Sequence, residues 1–139
     1  SCRSVMAQAL LRRKMQELKR TDVEVESAGL MMADGMGASY ETAELLAAEG
    51  IDVSKHRSQR VSKDLLNKAD LILVMEGAQE HRILQMYPAA KNRLFLLKEF
   101  ARVAGSDLNI PDPMGRDSGF YEHTFQIIKE AVEKVSQII

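Results

Sequence analysis

The 139 residues of this chain are enough for one domain with its own hydrophobic core, and we expect residues 1–139 to form that single domain. A net charge of −1, with 45% hydrophobic and 28% charged residues, gives no reason to expect binding to nucleic acid or to an anionic membrane. The one cysteine excludes an internal disulfide and a cysteine-based zinc site, and it favours a reducing compartment such as the cytoplasm.

The first half of the chain predicts two helices and one short strand. Valines alternate with glutamates over residues 23–26, which predicts a half-exposed strand. Residues 29–37 contain glycines and methionines and predict a loop, and residues 41–49 predict a helix that Gly50 ends. The first helix is predicted over roughly residues 4–19 because its apolar residues fall on one side, at Met6, Ala9, Leu10 and Leu18.

The second half alternates helices with apolar strands. Residues 71–75 and 94–97 are continuously apolar, as is typical of strands that are covered on both faces of a parallel sheet. The predicted helices are 63–68, with Ser62 as its cap, 78–86, and a final helix capped by Asp117 or Ser118. In the final helix we expect the core-facing residues to be Phe120, Ile127, Ile128, Val132, Val135 and Ile139.

This alternation predicts an α/β fold, in which helices cover both faces of a doubly wound parallel sheet in three layers. Such sheets bind their ligands at the carboxyl ends of the strands, where loops lead into helix N-termini. No apolar stretch in the chain approaches the ~20 residues that a membrane span needs.

Two polar runs are candidates for such a site. Ser1-Cys2-Arg3-Ser4 leads directly into the first helix, where free N–H groups, the helix dipole and a guanidinium all favour an anion such as phosphate. Pro111-Asp112-Pro113 could hold a carboxyl group opposite this cradle. Each run alone is a weak signal, because most Asp-Pro pairs are ordinary turns. A site exists only if the fold brings the two runs together.

A set of short motifs carries a resemblance to a known family. The motifs are Cys2-Arg3-Ser4 followed by Met6-Ala7, Ser27-Ala28-Gly29, Gly50-Ile51-Asp52 with Ser54 and His56, and Asp112-Pro113. In this order the chain resembles the low-molecular-weight protein tyrosine phosphatases over essentially all of its residues. It is most similar to the bacterial branch that includes protein-arginine phosphatases. The resemblance implies a sheet of four parallel strands.

The resemblance also implies a role for each residue of the two runs. The phosphate-binding loop includes Ser1, Cys2, Arg3 and Ser4. In this loop Arg3 binds the phosphoryl oxygens, and Ser4 donates a hydrogen bond to the leaving thiolate. Asp112 is the general acid and then the base for water. Cys2 is implied as a redox partner of the nucleophile. No metal or other cofactor is implied, and the substrate is a phosphorylated protein or a small phosphomonoester.

In this family the nucleophile is a cysteine six residues before the arginine, which places it upstream of Ser1 together with the first, interior strand of the sheet. From a polypeptide that starts at Ser1 we therefore expect no phosphatase turnover, poor solubility and exposed apolar surface.

The substrate pocket is predicted to have methionine walls. The resemblance places Met31, Met32 and Met114 around its mouth, with no aromatic ring among them. Ser1 fills a slot in which the arginine-phosphatase branch has a small hydroxyl residue, which favours phosphoarginine, or a broad specificity that includes it, over phosphotyrosine alone.

Two other functions remain open. One is arsenate reduction on the same fold, although that route needs additional cysteines and only Cys2 is present. The other is a catalytically silent phosphate-binding module. We expect a monomer, with neither nucleic acid nor a membrane among its partners.

Overall fold

The computed structural model describes residues 2–31 and 34–139 of the chain. Two parallel strands and a series of helices make up this part of the protein. The helices are α1 (Cys2–Glu17), α2 (Tyr40–Ala48), α3 (Lys63–Lys68), α4 (Gly77–Met86), α5 (Leu97–Phe100) and α6 (Ser118–Ile138), with a 3₁₀ helix at Pro88–Arg93. The strands are β1 (Ile72–Val74) and β2 (Leu94–Leu96).

Strands β1 and β2 pair in parallel, with Ile72 opposite Leu94, and α4 makes the crossover between them. Successive side chains of β1 enter two different clusters, because side chains of a strand alternate between its faces. Ile72 packs with the cluster of α3, α4 and β2, whereas Leu73, together with Met75 just after the strand, packs with the cluster of α1, α2, α5 and α6. The predicted α/β fold, with a parallel sheet and helices on both faces, is confirmed.

Helices α1 and α6 form the centre of the larger cluster. Met6 of α1 and Ile128 of α6 are completely buried, and Phe125 is almost completely buried. Removing such side chains from water stabilises a fold by roughly 2 kcal/mol each, which makes this contact the main support of α1. None of the helices in the described ranges is both long and apolar enough to cross a membrane.

The helix ends follow the predicted caps. Ser62 and Asp117 each accept a hydrogen bond from the backbone N–H three residues further on, at 3.1 Å and 2.9 Å. Asp117 rather than Ser118 is thus the cap of α6. Gly50 has a φ of +79°, which ends α2 as predicted, and the following Ile51 N–H returns to the Leu46 carbonyl.

The strand predicted over residues 23–26 is wrong. The chain has no strand there, and the Val25 carbonyl accepts a hydrogen bond from Arg12 Nε at 2.8 Å instead of from a neighbouring strand. Pairing occurs a few residues later, as one isolated parallel bridge between Gly29 and Arg60. Alternating valines indicated an extended segment, but a strand also needs a partner backbone within reach.

Two residues expected in the core lie elsewhere. Leu18 is 49% exposed because α1 ends at Glu17, one residue before it. Phe120 is half-buried beneath the Arg116 guanidinium, 4.1 Å from its ring centroid, and Tyr121 takes the buried position in its place.

Candidate functional site

The first turn of α1 lies against the carboxyl end of β1. Cys2 and Arg3 are the first two described residues of the chain, and each is only 4% exposed. Arg3 contacts Glu76, which follows β1 and precedes α4, and Ile110, whose N–H donates to the carbonyl of Met75, the residue after β1. The two runs singled out in the sequence therefore meet where a parallel sheet is expected to bind its ligands.

The Arg3 guanidinium is satisfied along one edge only. Its Nη1 lies 2.9 Å from Glu76 Oε1 and donates to the Ile110 carbonyl at 2.6 Å. Its Nε is buried without a hydrogen-bond partner, and its Nη2 is 3.9 Å from Asp112 Oδ2, which is longer than a hydrogen bond. Along the edge formed by Nε and Nη2, Nε therefore has no hydrogen-bond partner, and Nη2 makes only the long ion pair with Asp112.

This open edge suits an oxyanion. A buried donor without a partner costs about 1–3 kcal/mol, so the site is incomplete as it stands. A phosphate can accept from Nε and Nη2 at the same time, in the bidentate geometry that guanidinium groups form with two oxygens of one anion. The Arg3 side chain is held ready for such a ligand by Glu76 and Ile110 on its other edge.

Asp112 is held beside this edge by its own loop. Its Oδ1 accepts a hydrogen bond from the Met114 N–H at 3.1 Å, while its Oδ2 faces Arg3. The loop then closes in a turn, in which the Arg116 N–H donates to the Pro113 carbonyl at 2.9 Å and Gly115 takes a φ of +78°. Asp112 remains 43% exposed, so it can exchange protons with water.

The Cys2 thiol faces a group of hydroxyls from α2 and α6. Its Sγ lies 3.5 Å from Ser39 Oγ and 3.7 Å from the Tyr121 hydroxyl. Burial, followed by the contact with Cys2, raises the pKa of Tyr121 to about 12, so this phenol stays protonated and can donate to the sulfur. These contacts join the start of α1 to both neighbouring helices.

The structure describes three of the remaining predicted site residues, Ser4, Met31 and Met114. Ser4 is half-buried in the first turn of α1. Met114 follows Asp112 by two residues and is 56% exposed, and Met31 is 80% exposed with Arg82 Nη1 2.7 Å from its sulfur. Ser1 and Met32 lie outside the described residues.

Sequence reasoning missed two residues of the site, Glu76 and Tyr121. Glu76 is the first polar residue after the apolar run 71–75, and that position alone marks the carboxyl end of a strand. Tyr121 carried no comparable signal, because one tyrosine near the start of an amphipathic helix is typical of core packing.

His56 is half-buried. Burial lowers its pKa, and neighbouring cations such as Arg12 and Arg57 lower it further.

Across residues 2–31 and 34–139, no three histidine, cysteine or carboxylate side chains come together as metal ligands. Independence from metal ions stays a prediction.

Comparison with known proteins gives matches along the whole chain. The family described as low molecular weight phosphotyrosine protein phosphatase matches residues 1–139. A probable low molecular weight protein-tyrosine-phosphatase, EpsP of Ralstonia nicotianae, is 37% identical over 95% of this chain and 84% of its own length.

Solved structures agree with these matches. The YwlE arginine phosphatase from Geobacillus stearothermophilus superposes with a TM-score of 0.89 at 33% identity, over 99% of this chain and 85% of that one. A cysteine-to-serine mutant of a YwlE arginine phosphatase, with a phosphorylated active-site serine, gives a TM-score of 0.90 at 26% identity, over 99% and 88% of the two chains.

Proposed function

Because the chain belongs to the low molecular weight phosphotyrosine protein phosphatase family, we propose that it hydrolyses phosphotyrosine, phosphoarginine or both in proteins, through a phosphocysteine intermediate. The observation that carries the proposal is the open Nε–Nη2 edge of Arg3, with Asp112 Oδ2 only 3.9 Å from it. An anion-binding donor pair and a carboxyl group are the two things that cleavage of a phosphomonoester needs besides a nucleophile.

Arg3 binds two of the non-bridging phosphoryl oxygens in this proposal. Negative charge shifts over these oxygens as the phosphoryl group passes between nucleophile and leaving group, and a preorganised guanidinium stabilises that charge without rearranging. The N–H groups at the start of α1, in the turn that contains Cys2, add donors from the positive end of the helix dipole.

Asp112 transfers the proton in both steps. In the first step the protonated carboxyl group donates to the leaving oxygen or nitrogen of the substrate as its bond to phosphorus breaks. In the second step the carboxylate accepts a proton from the water that attacks phosphorus, and inorganic phosphate is released. Its partial exposure, and the hydrogen bond from Met114 N–H that orients the carboxyl group, support this role.

The proposed nucleophile is a cysteine six residues before Arg3, and thus N-terminal to Ser1. Cys2 supports this indirectly, because its thiol is buried against Ser39 and Tyr121. Ser4 is proposed to donate to the nucleophile's sulfur when the phosphocysteine is hydrolysed, and Cys2 to act as its redox partner. The reaction needs no metal ion.

A second part of the proposal concerns which phosphorylated side chain is the preferred substrate. Relatives in both the tyrosine and the arginine groups are similar to this chain, so their names do not separate the two substrates. The proposed walls, Met31, Met32 and Met114, accept either a phenyl ring or a guanidinium. We favour phosphoarginine, or a broad specificity that includes it, with Ser1 as the residue that leaves room for the guanidinium.

The test uses the protein expressed from its complete coding sequence. We expect turnover of an aryl phosphate and of matched phosphotyrosine and phosphoarginine peptides, unchanged by EDTA, and a phosphocysteine trapped by rapid quenching. Phosphate binding with no turnover would identify a binding module, and arsenate reduction without phosphate release would identify a reductase; either result overturns the proposal. Ser1→Ile is expected to lower kcat/KM for phosphoarginine more than for phosphotyrosine.

We further propose that the protein works as a monomer in the cytoplasm on phosphorylated proteins, with no nucleic acid partner. The low net charge and the single cysteine support this. Size-exclusion chromatography with light scattering, and fractionation of the cell, test the two parts separately.

A further inference from the structure

Helix α4 begins beside Arg3, and the residue before it does not cap it. Glu76 stands in the N-cap position, from which a polar side chain can accept from the N–H groups of the first turn. In the part of the chain that the structure describes, the Glu76 side chain makes no such bond. Its Oε1 instead lies 2.9 Å from Arg3 Nη1. The Glu76 carboxylate therefore supports the phosphate site rather than its own helix.

Asn109 supplies a hydrogen-bond acceptor to the start of α4 from a distant part of the chain. Its Oδ1 accepts from the Gly77 N–H at 2.8 Å, although the two residues are 32 positions apart. This N–H is one of the groups at a helix N-terminus that the helix cannot satisfy by itself. Only the oxygen of the Asn109 amide takes part in the contact. Asn109 thus does for α4 part of what an N-cap side chain ordinarily does.

The loop that carries Asn109 is fixed on both sides of this residue. The Asn109 N–H donates to Asp107 Oδ1 at 3.0 Å, which is the local bond that Asp side chains form in turns. The next residue, Ile110, is completely buried, and its N–H donates to the Met75 carbonyl at 2.9 Å. The Ile110 carbonyl accepts from Arg3 Nη1. The Asn109 side chain is therefore held against α4 by two anchored neighbours.

We propose that Asn109 is a positioning residue, which satisfies the start of α4 so that the Glu76 carboxylate stays on Arg3. This inference rests on the proposed function, in which Arg3 binds the phosphoryl group. Without the Asn109 oxygen the Gly77 N–H loses its partner, and the positive end of the helix attracts a carboxylate more strongly. Glu76, in the N-cap position, then turns from Arg3 to the N–H groups of α4. Arg3 loses the ion pair that fixes its Nη1.

The kinetic test uses protein from the complete coding sequence. For Asn109→Ala we expect kcat for an aryl phosphate to fall by about three- to tenfold, while inhibition by inorganic phosphate changes by less than about twofold. Asn109→Asp keeps an acceptor oxygen in the same place and should restore most of kcat. Asn92→Ala removes an exposed asparagine of the 3₁₀ helix and is the control, which should change neither quantity. An unchanged kcat in Asn109→Ala, or no recovery in Asn109→Asp, would overturn the proposal.

A double-mutant cycle separates this role from a general loss of stability. Asn109→Ala should lower kcat in the unchanged protein but change it by about twofold or less in the Glu76→Gln background, because the side chain through which Asn109 acts is already impaired there. Each kcat is measured well below the melting temperature of its variant. Equal factors in the two backgrounds would show that Asn109 acts independently of Glu76 and would overturn the proposal.

A crystal structure of Asn109→Ala tests the same point without turnover. We expect the Glu76 carboxylate to bond the N–H groups in the first turn of α4 and to be absent from Arg3. A Glu76 that stays 2.9 Å from Arg3 Nη1 would overturn the role of Asn109 and leave the phosphatase proposal intact. A displaced Glu76, in a protein whose unchanged form hydrolyses no phosphomonoester, would overturn the catalytic proposal and leave the structural effect of Asn109 in place.

Discussion

Two clusters of arginine and carboxylate groups differ in how completely they are satisfied. Arg13 and Lys129 both bind Glu49, at 3.0 Å and 2.9 Å, and so connect α1, α2 and α6. Arg3 is far more buried, yet its Nε has no partner and its second carboxylate, Asp112, stays 3.9 Å away. A cluster with every partner in place stabilises the fold, whereas a buried guanidinium with an open edge is built to receive another anion.

The largest expected effect is on activity, and it should distinguish substitution of Arg3 from substitution of Arg13. Arg3→Ala removes the proposed phosphoryl contacts and should lower kcat/KM by about 10³-fold or more. Arg13→Ala, its counterpart in the satisfied cluster, should keep activity within about twofold of the unchanged protein and lower the melting temperature instead. Steady-state kinetics and thermal denaturation of both variants check this; similar activity losses would remove the distinction between the clusters.

Asp112→Asn should produce the next largest effect. Its rate with a poor leaving group should fall by about 10²–10⁴-fold, and the loss should be smaller with a good leaving group that needs no proton. The measurement is kcat for a series of aryl phosphates. Asp22→Asn is the control, because Asp22 is an exposed partner of Arg20. Equal losses across the series would argue against Asp112 as the acid.

Glu76→Gln tests how Arg3 is held. The amide keeps the size of the side chain but loses the charge that fixes Nη1, so we expect kcat to fall about tenfold, with inhibition by inorganic phosphate changed much less. Glu80→Gln, in the first turn of the same helix α4, is the matched control. An unchanged kcat would show that the Ile110 carbonyl alone positions Arg3.

The satisfied cluster should show its effect in the pH dependence of stability. Hydrogen bonds from Lys129 and then Arg13 hold the pKa of Glu49 below its ordinary value of 4.5. The stabilisation is therefore complete above pH 4.5 and is lost as the pH falls through the lower folded-state pKa. We expect Glu49→Gln to lower the free energy of unfolding by about 1 kcal/mol at neutral pH, with a difference that shrinks toward pH 3. The prediction is contradicted if urea denaturation gives the same difference in the free energy of unfolding at neutral pH as it gives near pH 3.

The sequence predicted the elements that depend on local chemistry. Ser62 and Asp117 cap their helices as expected because the side chain of a cap acts on N–H groups only three residues away. The strand over 23–26 failed because pairing is a long-range property, and the 3₁₀ helix Pro88–Arg93 carried no periodic signal.

For the site, the sequence indicated Arg3 and Asp112 through motifs that the family resemblance joined. It could not show that Arg3 has one satisfied and one open edge, because that depends on Glu76 and Ile110 arriving from distant parts of the chain.

The central claim is that the open edge of Arg3 is an anion site, and the most direct measurement is thermal denaturation with increasing inorganic phosphate. A ligand that binds only the folded state stabilises it by RT ln(1 + [L]/Kd), so its shift reports binding without catalysis. We predict that phosphate raises the melting temperature of the unchanged protein and of Arg13→Ala by the same amount, and that the shift is lost in Arg3→Ala. An equal shift in Arg3→Ala would place the phosphate elsewhere and contradict the account.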